Sequence, residues 1–489
     1  MKKVTFYATL YLLIFTGAGL SQPEIEWSTE FAQRRSIISM AKIAGGNLLL
    51  STYSPNIAYN FSLINLSNDH DVIWAGNYDQ SYAYGAKTVV QIPNGGFAAA
   101  GRTISYGPAS GDYFIVRVNN NGELDTFRTY GGSSDEECQS MVATWNGQLI
   151  LAGYTASFGQ GNVDGWILKT DQNGDSLWSR TFGGAAYDCF FKVIPTADRN
   201  YVTAGSSKSY DNGAGDFWLT KFSPEGDSIW SKTYGSERED LCYDVAATVD
   251  SGFVLVGSTR ALESNSLDFF ILKTDKNGDS LWCRVFGTEE PEQASAVITT
   301  LDGGIAVLGS RVFERNLFED WWLVKLDDSG DSLWSQRFAG GYHDWGKALL
   351  QLGNGKFVIG GNNDENAWLV ITTPDPVNGV DEDVPYYPAS ITLYPAYPNP
   401  FNSMVTIPFA VGAHRDAPLQ LAIFDPLGRR VVDLIGSTAV TGGRFLRAAE
   451  GGATNHSIVW NANGMPAGHY TVRLQAPGVT LSQPLVLTK

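Results

Sequence analysis

The sequence predicts an all-β chain, a seven-bladed β-propeller followed by a small β-sandwich, and three observations carry that prediction. A short motif recurs at a nearly constant interval, each interval divides into four strand-like runs, and the two ends of the series complete one another. The motif is GDSLW at Gly174–Trp178, Gly278–Trp282 and Gly330–Trp334, and GDSIW at Gly226–Trp230. Weaker copies end at Phe127, Trp74 and Trp27, so seven marks stand 47, 53, 51, 52, 52 and 52 residues apart. A fixed period near fifty residues means one supersecondary unit copied along the chain.

The stretch from Cys242 to Phe286 shows the unit most clearly. CYDVAAT, FVLVGST, FFILKT and SLWCRVF are four short runs rich in β-branched and aromatic residues. Turn chemistry (Val249 to Gly252, the loop ALESNSLD, and DKNGD) separates them, which reads as four antiparallel strands. No run shows a sustained 3.6-residue period, so helix is not expected. The Asn-Gly pairs at Asn121, Asn173 and Asn277 predict tight hairpins with positive φ at both central residues. Four strands per copy, closed into a ring, leave only short sheet edges. The series begins with one lone Trp strand, Glu24 to Phe31, and ends with three runs, GKALLQL, KFVIGG and AWLVITT. The N-terminal strand is therefore expected to complete the last blade.

Outside the repeats, residues 1–21 read as a secretory signal: Lys2 and Lys3, an apolar stretch from Val4 to Phe15, then small residues before the start of the propeller at residues 22–373. No segment reaches the apolar length of a membrane-spanning helix. Residues 374–390, PDPVNGVDEDVPYYP and its flank, are a Pro- and acid-rich linker. Residues 391–489 form a separate domain with five strand-like runs, an expected antiparallel sandwich.

The formal charge of −17 comes from 34 Lys and Arg against 51 Asp and Glu. Most of the excess lies in the repeats, a field that repels phosphate backbones and argues against nucleic-acid binding. The four cysteines, Cys138, Cys189, Cys242 and Cys283, are too few for a disulfide framework and are expected as buried thiols.

Two resemblances add to this. The GDSLW unit resembles the tryptophan-docking repeats of quinoprotein-type propellers, in which an Asp and a Gly also precede a Trp. The Asp-to-Gly spacing is one residue shorter here, and no quinone cofactor is implied. The tail carries LYPAYPNPFN from Leu393, IFDPLGRRV from Ile423, GMPAGHYTVRL from Gly464, and a terminal PLVLTK. In order and placement these resemble the C-terminal sorting domain of type IX secretion cargo, related to FlgD-like immunoglobulin-fold tails. That resemblance implies an Ig-like fold, a secretion machinery that reads it, and a secreted or surface-attached product at the outer membrane of a Gram-negative-type bacterium. The polar insertion from Gly436 to Thr454 and His469 depart from that pattern.

Residues that recur in every blade belong to the fold, so Asp112, Asp164, Asp216, Asp268 and Asp320 are expected to cap loops. The hairpins from Asp171 and Asp275 place oxygen ligands at the first, third and fifth positions, as calcium loops do, but lack the later Gly and carboxylate. No cofactor or metal is expected. Blade-specific loop residues are the candidates for ligand contact: Tyr106, Phe158, Asp188, Tyr210, Asp211, Asp240, His343, Asp344 and Trp345. Aromatic rings stack on sugar faces while carboxylates accept hydroxyl protons, which suits an extracellular glycan or protein partner. The expected product is a monomeric, non-catalytic binding protein. The alternative is a polysaccharide-acting hydrolase using two carboxylates at the channel mouth. No HExxH, GxSxG or phosphate-loop motif favours other chemistry.

Overall fold

The computed structural model describes residues 3–5, 10–11, 22–31, 36–54, 60–78, 83–93, 95–104, 111–210, 214–260, 266–288, 290–313, 318–340, 343–364, 366–376, 391–411, 420–425, 429–435, 454–476 and 479–488. Two compact units divide the chain, one running through Gly379 and the other from Val380 to Lys489. Most of residues 1–21, expected as a signal, and of residues 374–390, expected as a linker, lies outside the described residues. Lys3–Thr5 and Leu10–Tyr11 pair in parallel with the outer strands Ser228–Gly235 and Ser280–Phe286.

The first unit is a succession of four-stranded antiparallel sheets. They are numbered here as repeats: 1 (36–77), 2 (83–130), 3 (136–182), 4 (188–235), 5 (240–286), 6 (292–338) and 7 (346–374 with 25–31). Within repeats 3 to 6 the four strands follow in chain order, as the sequence predicts. The N-terminal strand Ile25–Phe31 joins repeat 7, running antiparallel to Asn366–Pro374 with Trp27 opposite Ile371 and Phe31 opposite Ala367. Repeats 7 and 1 share one core, in which Ile37 and Leu50 pack with Val358 and Leu369.

Burial explains the strand patterns. Middle strands such as Phe253–Arg260 and Asp216–Phe222 are buried on both faces, so they read as continuous apolar runs rather than alternating ones. The outermost strand is half-exposed, as in Ser176–Phe182. Its Trp still finds a partner: Trp178, Trp230 and Trp282 lie against the hairpin glycines Gly226, Gly278 and Gly330 of the following repeat.

The hairpins differ from the expectation at one residue. Gly122, Gly174 and Gly278 have φ near +80, but Asn121, Asn173 and Asn277 are not among the positive-φ residues. The Asp171 carboxylate explains this, because its Oδ1 accepts from the Asn173 N–H at 2.7 Å and the Asp175 N–H at 2.9 Å. The side chain thereby closes a one-glycine turn with a bulge rather than a two-residue mirror-image turn. Asp275 repeats the arrangement.

Every first strand carries a bulge at the same place, at Ile38, Lys87, Gln139, Phe191, Tyr243, Ser295 and Lys347. An inserted residue bends the strand and re-aims one side chain. Two of these residues reach the adjacent repeat: Lys87 pairs with Glu137 at 3.2 Å, and Phe191 meets Tyr243 edge-on at 5.5 Å.

The second unit holds two antiparallel sheets, of three and four strands, on one core. Val405, Ile407 and Trp460 from one meet Ile423, Val472 and Leu485 from the other. The insertion from Gly436 lies almost entirely outside the described residues. All four cysteines are free thiols, with Cys138, Cys189 and Cys242 buried. Cys138 and Cys242 face the same strand position, whereas Cys189 stands one residue earlier.

Candidate functional site

The loop acids at the start of each first strand are turned inward, which corrects the expectation that Asp188, Asp240 and Asp344 face a ligand. They are 0%, 1% and 0% exposed. Each accepts from the backbone N–H four residues earlier: Gly184 to Asp188 at 2.8 Å, Ser236 to Asp240 at 2.6 Å, Gly340 to Asp344 at 2.8 Å. Glu136 and Glu292 do the same for Gly132 and Thr288. These carboxylates hold the loop between repeats closed. Asp112, Asp164, Asp216, Asp268 and Asp320 are also buried, and at Asp164 the expected loop cap is seen. Asp164 accepts from the N–H groups of Gln160 and Gly161, each at 3.0 Å.

The two acid series meet. A Cβ on Gly183 would stand 2.3 Å from Asp164 Oδ1 and 2.7 Å from Asp188 Oδ2. Gly235 is likewise pinched between Asp216 and Asp240, and Gly131 between Asp112 and Glu136. Glycine is required there because two carboxylates close over the chain. Burial raises the pKa of Asp268 to about 6 and that of Glu292 to about 7.

Of the aromatic candidates, Tyr210 is half-buried and its hydroxyl donates to the Gly183 carbonyl at 2.6 Å, so its polar end is committed to the loop. Phe158 is exposed and leans on Trp166, with ring centroids 5.6 Å apart. His343 is exposed, and its backbone N–H donates to Asp364 Oδ1 at 3.3 Å. Tyr106 and Asp211 lie outside the described residues. Among the described residues no contact joins Phe158, Tyr210 and Trp345, which belong to repeats 3, 4 and 7.

Trp345 is different. Its indole is 45% exposed, and it forms the wall of a recess of about 180 Å³ with Gln293, Ser295, Ser310, Gly346 and Lys347. Gln293 and Ser295 come from the first strand of repeat 6 and Ser310 from its second. Lys347 is the bulge residue of repeat 7, with its ammonium 5.6 Å from the Trp345 ring. The Lys347 side chain is exposed to solvent on the recess wall. Partial desolvation against the neighbouring side chains, then the charge of Lys87, lowers the pKa of Lys347, with Glu319 opposing. Ser295 Oγ donates to the Gly346 carbonyl at 2.5 Å, and Ser310 Oγ to Glu319 Oε1 at 2.6 Å. One flat apolar ring thus stands beside an amide, an ammonium and two serine oxygens that remain as acceptors, their protons being given to Gly346 and Glu319.

Sequence reasoning finds Trp345 but misses Lys347, Gln293, Ser295 and Ser310. The signal is present: Lys87, Gln139, Phe191, Tyr243, Ser295 and Lys347 keep the 52-residue interval while changing chemistry along the series. A column that holds its period and varies its side chain is not tied to one bond repeated in every copy.

No protein-family model matches the chain. The regulatory protein FlaEY of Caulobacter vibrioides is 23% identical over 300 residues, covering 51% of this chain. The chain spans only 31% of that relative's length. Among solved structures, a puromycin hydrolase mutant shares 13% identity, with 78% of this chain and 59% of the other covered at a TM-score of 0.45. A putative gluconolactonase, also 13% identical, gives 58% and 87% at 0.33. A glucose dehydrogenase, 9% identical, gives 58% and 98% at 0.35. Likenesses this distant carry no argument about activity.

Proposed function

We propose that the repeats close into a seven-bladed propeller that binds a glycan at the recess beside Trp345. The observation that carries this reading is the exposed indole set among side-chain amide, hydroxyl and ammonium groups. Saccharide recognition needs that combination, since a ring packs on the C–H face of a sugar while polar groups take its hydroxyls. No carboxylate pair among the described residues lines the recess, so binding without hydrolysis is the reading adopted. The N-terminal stretch and the tail motifs support export, with the second unit as an Ig-like sorting domain that directs the chain to the cell surface. A glycan array probed with the full chain and with Trp345→Ala tests the first part. Binding lost in the variant is expected, and binding unchanged in it overturns the assignment. Mass spectrometry of the protein from its native host tests the second. Loss of about the first 21 residues and cleavage or attachment near residue 390 are expected; an intact N-terminus refutes export by this route.

A further inference from the structure

Four lysines lie on first strands, Lys42, Lys87, Lys192 and Lys347, and Lys87 and Lys192 each have an acid on the next repeat. Lys87 of repeat 2 pairs with Glu137 of repeat 3 at 3.2 Å, and Lys192 of repeat 4 with Asp244 of repeat 5 at 3.1 Å. Lys347 occupies the same bulge position as Lys87. Its next repeat, across the closing core, is repeat 1. Strand register identifies the residue that corresponds there to Glu137. Glu137 stands opposite Tyr154, one residue before Cys138 and the bulge; Ser36 stands opposite Tyr53, one residue before Ile37 and the bulge. The acid is therefore replaced by a hydroxyl, and the Ser36 Oγ donates to the Ile37 carbonyl instead. Glu319, the nearby carboxylate, accepts from Ser310 and favours the Lys347 charge from a distance, by less than Lys87 opposes it. The ammonium of Lys347 has the Trp345 ring as its neighbour and lies on the recess wall.

Resting on the proposed glycan reading, we propose that the recess is selective for an acidic sugar, its ring on Trp345 and its carboxylate on the ammonium of Lys347. The ligand carboxylate takes the place that Glu137 fills for Lys87. An ammonium beside the Trp345 ring and within the field of Lys87 gains from an arriving anion, which forms a charge-assisted bond with it. The overall charge sets a limit on the ligand. A chain at −17 repels a polyanion from a distance, so the favoured ligand carries an isolated or terminal uronate on an otherwise neutral saccharide.

The test is ligand-observed saturation-transfer NMR on the full chain with two probes, a disaccharide ending in glucuronate and its counterpart ending in glucose. The wild-type protein is expected to prefer the uronate by about tenfold, and the preference to shrink as salt is raised. Lys347→Met should remove the preference. Ser36→Asp should remove it by another route, supplying the missing acid to Lys347 while the neutral probe still binds. Equal binding of both probes to the wild-type chain, or a preference kept in Lys347→Met, overturns the acidic selectivity and leaves the glycan reading standing. Failure of both probes to bind overturns the two together.

Discussion

The ring of Trp230 lies against Gly278 of the following repeat so closely that a Cβ there would stand 2.9 Å from two of its carbons. The Tyr234 hydroxyl donates to the Gly278 carbonyl at 2.5 Å, so the hairpin is gripped from both sides. Gly226 under Trp178 and Gly330 under Trp282 repeat the ring half of the grip, with Phe182 and Phe286 in place of Tyr234, and the Trp282 indole N–H donates to the Asp328 carbonyl at 3.2 Å. The Trp and Gly of the repeated pentapeptide are thus partners across repeats rather than within one.

Gly278→Ala is expected to cost more than its backbone conformation alone explains. Gly278 has φ +76, and Gly303, in another hairpin of the same unit, has φ +83 with nothing nearer than Val249 at 3.8 Å. Gly303→Ala carries only the left-handed penalty of about 1–2 kcal/mol. Gly278→Ala adds the overpacking of a rigid indole, about 1–3 kcal/mol more. Urea midpoints of the two variants should differ in that order, and equal midpoints would show that the Trp yields freely.

Lys325 supplies a second test of how neighbouring hairpins are tied. Its ammonium is wholly buried, bonded to Asp302 at 2.6 and 2.9 Å and 3.7 Å from Asp375, whose Oδ1 accepts from the Trp334 indole at 3.2 Å. Lys221 with Asp198 and Lys273 with Asp250 occupy the corresponding positions, but their acids are half-exposed. Lys325→Met strands a carboxylate with no exposure and should cost about 3–5 kcal/mol. Lys221→Met should cost distinctly less in the same thermal melt. The reverse order would show that burial of the acid does not set the cost.

The seam between the chain's ends is held by more than ladder bonds. Glu30 accepts from the side-chain amides of Asn363 at 2.8 Å and Asn366 at 2.9 Å, and the Thr373 N–H donates to the Glu24 carbonyl at 2.8 Å. Removing residues 22–31 uncovers one edge of the strand Asn366–Pro374. An uncovered edge is a template for pairing with other chains, so the truncated chain is expected to melt lower and to associate. Light scattering showing it monomeric with an unchanged melt would refute that role.

The closing strand, the four-strand unit and the exposed Trp345 are legible in the sequence because each depends on local pattern or on a break in the period. The fate of the loop acids is equally written there and is easily misread. Glu136, Asp188, Asp240, Glu292 and Asp344 keep the same 52-residue interval as the structural series from Asp112 to Asp320. A carboxylate recurring at the repeat period is retained for a bond made in every repeat, here to an N–H four residues back. Tyr210 is misplaced for a different reason: no local pattern reveals that a loop hydroxyl reaches the Gly183 carbonyl 27 residues away. The relation between Lys347 and Ser36 stays hidden because the repeats that carry them meet only in the folded chain.

Acid pairs at the repeat junctions make stability depend on pH, in the direction opposite to ordinary salt-bridged carboxylates. Burial lifts Glu292 from 4.5 to about 7 and Asp268 from 3.8 to about 6, despite Arg311 3.3 Å from the Glu292 carboxylate. A carboxyl whose folded pKa exceeds its unfolded one holds its proton more tightly in the folded state. Its contribution is complete below the unfolded value and is lost as pH rises through the folded one. For Glu292 the window runs from 4.5 to about 7, with a loss on the order of 3 kcal/mol at its upper end. Glu292→Gln keeps the shape and a carbonyl acceptor for the Thr288 N–H, and has no charge to desolvate. Urea unfolding at steps between about pH 4.5 and 7.5 should show the wild-type chain losing stability relative to Glu292→Gln across that window. Parallel profiles for the two would mean that the Arg311 guanidinium, and not burial, governs this carboxylate.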